Sequence, residues 1–443
     1  FSYMQKTDIM SYVFKEEISI NKERGFDVVG PDAESVTIGF RIPNAGTEEA
    51  RAAKLVDLLL NNSVAGFIDL NLVKEQKLLS ANSGAEQMMD YGVFMLTGKP
   101  KTGQTLEEVK DLLLGQLEKV RKGEFDKSML DAILLNEEIS NITKYKDNES
   151  RCFFLKDAYV QGIDYRDAYN DLAAMREMNK DFIVDFANLF LNQDRIVIYK
   201  RKGDKSVSEK IEKPEIHSVE LNRDKQSAFV KNWLAVPSAQ IKPELVDLKK
   251  EISTQYVGPA VMRYVKNKDN RLFNLSYRYD YGKWHNKWLD LIPAYLSYVG
   301  TDGYTATDIS YAFYRWGCSF SANGSNEHFV IGVNGPEEYF DSAVWLLEKL
   351  MNNPMVDESV YQSMIADVMK SRSDAKSNPA AVRSALLSYA MYGPNNPSKW
   401  VLSNDELKKS KAVDLVKLIK GMKNNTCHSA LVVFAGTVYV KEF

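Results

Sequence analysis

Hydrophobic and polar positions alternate over residues 36–42, where Val36, Ile38, Phe40 and Ile42 share one face. This period of two predicts a half-buried strand. Pro43-Asn-Ala-Gly46 predicts a turn. Over residues 48–60 the period lengthens, and Ala52, Leu55, Val56 and Leu59 recur as on one side of an amphipathic helix. A buried strand is predicted over residues 91–97, ending in a turn at Gly98-Lys-Pro100. Thr105 and Glu108 have the spacing of a capping box and open a helix to about Val120. A turn at Lys122-Gly123 with Asp126 leads into another helix through Glu138. Helical patterning then continues to about Leu191, and residues 194–200 close the unit as a strand. Before this unit, residues 1–25 are mixed and charged, with weak helical patterning.

Residues 201–260 lose the periodicity and are rich in Lys, Glu, Ser and Pro, including Pro214, Pro237, Pro243 and Pro259. They are predicted to be a linker with some local structure. The earlier pattern then recurs. Residues 272–279 form a strand, 287–299 a helix, 328–334 a strand and 337–351 a helix, with Asn353-Pro354 and Asp357 leading into one more. The two series run in the same order at an offset of roughly 231 to 239 positions, which predicts a duplicated unit. The expected fold class is α+β, with two homologous domains, each a mostly antiparallel sheet with helices packed on one side. The expected divisions are residues 1–200, linker 201–260, and 261–443.

Composition narrows the function classes. The 443 residues carry 57 basic and 60 acidic side chains, a net charge of −3. Basic residues are dispersed, so neither nucleic acid nor an anionic membrane is an expected partner. Only Cys152, Cys318 and Cys427 occur, without a Cys-x-x-Cys pair, which excludes a disulfide scaffold and a cysteine-rich zinc module. No apolar run is long enough to span a bilayer. Phe1 is not a natural initiator, so the chain is read as an internal piece of a longer protein.

The second unit carries a family resemblance. Gly300-Thr301 precedes Tyr304-Thr-Ala-Thr-Asp-Ile309 and Trp316-Gly-Cys-Ser-Phe-Ser-Ala-Asn323, and a long helix ends at Asn353-Pro354 before Val356-Asp-Glu358. Residues 397–401, Leu407-Lys-Lys with Val413-Asp-Leu-Val416, and residues 430–436 follow as a helical tail and closing strand. In that order these elements resemble the zinc-binding-type domain of pitrilysin/insulinase metallopeptidases. The first unit resembles the companion domain that follows the active domain. Lys213-Pro-Glu-Ile216 and Val246-Asp-Leu248 resemble the hinge between the halves of a full-length member.

The resemblance implies an inverted His-x-x-Glu-His motif on a helix, two imidazoles holding zinc and the Glu serving as general base, with a downstream Glu as third ligand. Counting back from Gly300-Thr301, those positions fall on Leu291, Ala294 and Tyr295. The downstream Glu falls near Ser371 if Met364 replaces the preceding carboxylate. His217, His285, His328 and His428 include no pair at i, i+4, and the first unit has no histidine. No catalytic or metal residue is therefore assigned in this chain, and binding residues are left unassigned. Zinc is expected upstream, in the full-length parent only.

Other motifs read as structure. Lys101-Thr-Gly103 and Ser373-Asp-Ala-Lys376 match a penicillin-binding signature in reversed order. Cys427-His428 lacks a second metal pair. Asn136-Glu-Glu138 reads as a solvated helix face, and His328 as a satisfied side chain at a sheet surface. Trp284, Trp288, Tyr295, Tyr298, Tyr311, Phe313, Tyr314 and Trp316 are expected to be mostly core.

The resemblance implies a parent that hydrolyses peptide bonds with a zinc-bound water, acting on unfolded peptides or small proteins. This chain would form part of the wall and hinge of its chamber, with the rest of the same polypeptide as partner. A bacterial periplasmic or cell-envelope location is implied. The alternative is a structural or partner subunit of the same fold without peptidase activity.

Overall fold

The computed structural model describes residues 18–204, 212, 214, 215, 217, 218, 225–238, 240, 242, 243, 245–258, 260–422 and 427–434, the last with side chains from Ala430 onward. Two sheets organise these residues. The first contains β1 (Arg24–Gly30), β2 (Ser35–Ile42), β3 (Ser80–Gln87), β4 (Gly92–Lys99) and β5 (Arg195–Lys202), in the order β1-β5-β2-β4-β3. The second contains β6 (Ile252–Val257), β7 (Ala260–Lys266), β8 (Leu272–Tyr279), β9 (Ser319–Gly324), β10 (Phe329–Pro336) and β11 (Cys427–Phe434), in the order β6-β7-β11-β8-β10-β9. Apart from β6, the orders correspond strand for strand. So do the pairing directions: β1 with β5, and β7 with β11, are the parallel pairs, and every other neighbour pair is antiparallel. The fold is α+β, with two related units.

Alternation decides which face of each sheet is buried. In β2, Val36, Ile38, Phe40 and Ile42 are at most 1% exposed while the residues between them are half-buried. Helix Glu48–Leu60 covers that face with Ala52, Leu55, Val56 and Leu59. It is capped by Thr47, whose hydroxyl accepts from Ala50 N at 3.1 Å. Each fully buried Val, Ile, Leu or Phe side chain among them contributes about 1.5–3 kcal/mol by leaving water. Thr105 and Glu108 make the expected reciprocal box at the start of helix Leu106–Arg121. Asp126 caps helix Lys127–Lys144, and Asp357 caps helix Glu358–Ala375.

Four elements differ from the expectation. The continuous helix over 287–299 is instead a 3-10 turn, Lys287–Leu291, followed by a separate helix, Ile292–Tyr298. Pro293 is the reason, because its ring excludes the carbonyl four residues earlier and suits only a helix's first turn. β1 begins inside the segment read as weakly helical, and its side chains up to Val29 are exposed. β3 has no apolar alternation, and as an edge strand paired only with β4 it needs none. Finally, β6 lies inside the segment read as linker; Gly258 (φ +55°) follows it before β7. Much of the linker, including Lys213 and Ile216, lies outside the described residues.

Candidate functional site

The positions aligned with a metal helix are built into the second core. Leu291 is 6% exposed and Tyr295 fully buried. The Tyr295 hydroxyl donates to Met355 O at 2.9 Å and accepts from Asp357 N at 3.1 Å, so it holds the turn that opens helix Glu358–Ala375. Its ring meets Tyr361 edge-on at 5.8 Å. Burial pushes the Tyr295 phenol above its ordinary pKa, which keeps it a neutral hydrogen-bonding group. On that helix Met364 is core and Ser371 faces solvent. Gly300 and Thr301 have structural work of the same kind. The Thr301 hydroxyl donates to Lys349 O and Asn353 O, tying the loop to the end of helix Phe340–Asn352. A Cβ on Gly300 would lie 2.2 Å from Tyr304 O.

These residues do not fit zinc. Leu291 and Ala294 offer no donor, and the Tyr295 oxygen is already committed. Among the described residues no group of three His, Cys, Asp or Glu side chains could hold a metal ion. His217 and His285 are exposed, and His285 Nδ1 accepts from Gly282 N. His328 departs from its expected state, since its Nδ1 is buried with no hydrogen-bond partner among the described residues. The Cys427 and His428 side chains lie outside the described residues.

The feature with chemical content is instead the seam between the units. Helix Ala306–Arg315 of the second unit lies against helix Lys127–Lys144 and the π-helical turn Asp69–Lys74 of the first. Tyr314 enters the first unit's core, and Asn136 Nδ2 donates to Tyr314 O at 2.8 Å. Asn136 and Glu137 are thus half-buried and bonded rather than solvated, Glu137 pairing with Lys54 at 2.5 Å, while Glu138 pairs with Arg176 on the solvent-facing side as expected. Across the seam, Lys101 Nζ meets Asp367 at 2.9 Å and Ser363 Oγ at 2.9 Å, and within its own unit it donates to Gln76 O at 2.8 Å, which accounts for the lysine of Lys101-Thr-Gly103. Gln76 Nε2 donates to Val360 O. The contact is reciprocal: each unit's long helix, Lys127–Lys144 or Glu358–Ala375, receives a segment of the other unit. Such packing has the character of an isologous interface.

Beside the seam is a cavity of about 400 Å³ whose lining includes Lys74, Ser297, Tyr298, Ser310, Phe313 and Phe320. Lys74 donates to the Ser310 hydroxyl, and burial lowers its pKa to about 8 despite the nearby Asp69. Asp69 is itself held by Asn61 Nδ2 at 2.5 Å, Asn62 N at 2.8 Å and Gly66 N at 3.0 Å. Burial pushes the Cys318 thiol up to about 12, so it is an inert wall rather than a nucleophile. Sequence reasoning missed Lys74. The available signal was a lysine closing the largely apolar run 64–73. Of the eight aromatics singled out, Tyr295, Phe313 and Tyr314 are buried, Trp284 is 52% exposed, and the others are half-buried.

Residues 6–136 match the family described as the peptidase M16 inactive domain. The first unit is related to the M16 peptidases. The zinc protease PqqE of Helicobacter pylori is 23% identical over 155 residues, covering 35% of this chain and 33% of that relative's own length. The pitrilysin crystal structure has a TM-score of 0.49 with 13% identity, covering 93% of this chain and 46% of pitrilysin. The periplasmic protease PqqL from Escherichia coli has a TM-score of 0.38 with 10% identity, over 98% of this chain and 51% of its own. The chain therefore spans about half or less of these proteins. Among the described residues no helix is long and apolar enough to cross a membrane.

Proposed function

We propose that this chain is the non-catalytic central portion of a pitrilysin/insulinase-type zinc peptidase, forming part of the wall and hinge of its peptide chamber. The observation that carries this reading is the commitment of Leu291 and Tyr295 to the core at the positions where a metal helix would present its ligands. The match of residues 6–136 to an M16 inactive domain supports it.

The parent's zinc would be bound upstream, where it would supply a nucleophilic water at neutral pH for peptide-bond hydrolysis. This chain's part is positional. Among the described residues β3 and β9 each pair on one side only, which leaves in both sheets an edge to which an extended peptide can add as a strand. The reciprocal seam gives the two units a defined orientation, and opening there would be the hinge motion. Residues 1–200 and 261–443 act as the two bodies and 201–260 as their connection. Unfolded peptides or small proteins are the proposed substrates, and a bacterial periplasmic or envelope location goes with the reading.

Metal analysis of this chain, and of the parent extended upstream through a complete further domain, tests it. A metal-free chain beside a parent that carries about one zinc and cuts peptides is expected. A zinc-free parent would replace the peptidase reading with a structural or partner subunit of the same fold. Stoichiometric zinc in this chain would overturn the placement of Leu291, Ala294 and Tyr295.

A further inference from the structure

Among the described residues Lys74 is a mostly enclosed cation that makes no ion pair; Asp69, which lines the same cavity, acts on it only through space. The one hydrogen bond of Lys74 among the described residues goes to a neutral hydroxyl, that of Ser310. Asp69, the nearby carboxylate, has its charge met by the Asn61, Asn62 and Gly66 donors instead. An ammonium removed from water is costly unless an opposite charge stands beside it. The cavity next to Lys74 has room for one, about 400 Å³, and offers further donors in the hydroxyls of Tyr298 and Ser310.

The far wall says what shape that anion has. Four successive residues of β9, Ser319 to Ala322, line the cavity. Successive strand residues point to opposite faces of a sheet, so all four reach one cavity only when the cavity meets the strand at its edge. Among the described residues that edge carries no further strand, β9 pairing with β10 alone. The same space thus holds a strand edge, which binds extended backbone, and a cation with hydroxyls, which binds a carboxylate.

We propose that this cavity is a carboxylate site, with Lys74 as the charge partner and Ser310 beside it, taking the free C-terminal carboxylate of an extended peptide laid along β9. A small free carboxylic acid shares the chemistry. The site uses only this chain's residues and stands apart from the zinc reading: a zinc-free parent would leave it intact, and its failure would leave the upstream metal untouched.

The test is calorimetric titration of the 443-residue chain at pH 7 and low salt with three probes: a Val/Ser hexapeptide with a free C-terminus, the same peptide as its C-terminal amide, and acetate. The free acid is expected to bind about tenfold or more tighter than the amide, the gain of a charge-assisted bond. Lys74→Met should erase that difference and leave amide binding unchanged, while Lys74→Arg should retain it; a single cooperative unfolding transition in each variant shows that both fold. Acetate that binds as tightly as the peptide acid, and competes with it, would identify the small acid as the ligand and support the carboxylate site. Equal affinity of acid and amide, or an unaltered preference in Lys74→Met, would overturn the proposal.

Discussion

Replacing Lys74 with Met should change not only the stability of this protein but its dependence on pH. In the folded chain burial lowers the Lys74 pKa from 10.5 to about 8. The unfolded chain therefore binds more protons than the folded one between about pH 8 and pH 10.5, and stability rises with pH across that window. Below pH 8 the cation is present in both states, and the desolvation cost is carried in full. At about 1.4 kcal/mol per pKa unit, the shift corresponds to about 3 kcal/mol. Lys74→Met removes that cost and also the bond to Ser310, worth about 1 kcal/mol. At pH 7 the variant should be more stable by about 2 kcal/mol, and near pH 10.5 the advantage should vanish or reverse. Urea unfolding of both proteins at pH 7, 8.5 and 10 measures this. Tyr298, Tyr314 and Cys318, whose pKa values burial raises, are common to both proteins and cancel in the difference. A difference in unfolding free energy that stays constant from pH 7 to pH 10 would refute the reasoning, because it would mean that Lys74 is solvated in the folded chain.

The remaining predictions concern the seam and the metal-helix positions. Asp367→Ala leaves the Lys101 cation half-buried with only Ser363 and Gln76 as partners, and should cost about 2 kcal/mol; a double-mutant cycle with Lys101→Met should show coupling, and additive losses would deny the ion pair. Tyr295→Phe strips the partner from Met355 O and Asp357 N and should cost about 2 kcal/mol in thermal or urea unfolding, with metal content unchanged. Gly317→Ala should destabilise by about 2 kcal/mol or more, because Gly317 has φ +61° and a Cβ there would lie 2.4 Å from Ile139 Cδ1 of the other unit. Faster limited proteolysis between the units should accompany that loss, and a wild-type cleavage rate would argue against the seam.

How far the sequence reaches depends on whether an element carries its own reason for forming. The strand at Val36, Ile38, Phe40 and Ile42 and the helix at Ala52, Leu55, Val56 and Leu59 were legible because burial of one face writes a period into the chain. Thr105 with Glu108 was legible because a cap needs only neighbours within a turn. Side-chain identity marked Leu291 and Tyr295 as apolar or aromatic, and only the structure shows both committed to the second core. The polar edge strands β3 and β9 were not, since they are held by backbone bonds to one neighbour and have little to bury. Pro293 marked a break that the apolar spacing around it concealed.

The seam was decided by tertiary structure alone. Lys74 and Ser310 are 236 residues apart, and Lys101 and Ser363 are 262 apart, so no local pattern relates them. Sequence by itself determined two related α+β units, because hydrophobic patterning is a local property. Which lysine lies enclosed, which strand edge stays open and what cavity joins them follow from how two separately patterned units pack, and a charge acquires its environment only when the far side of that contact arrives.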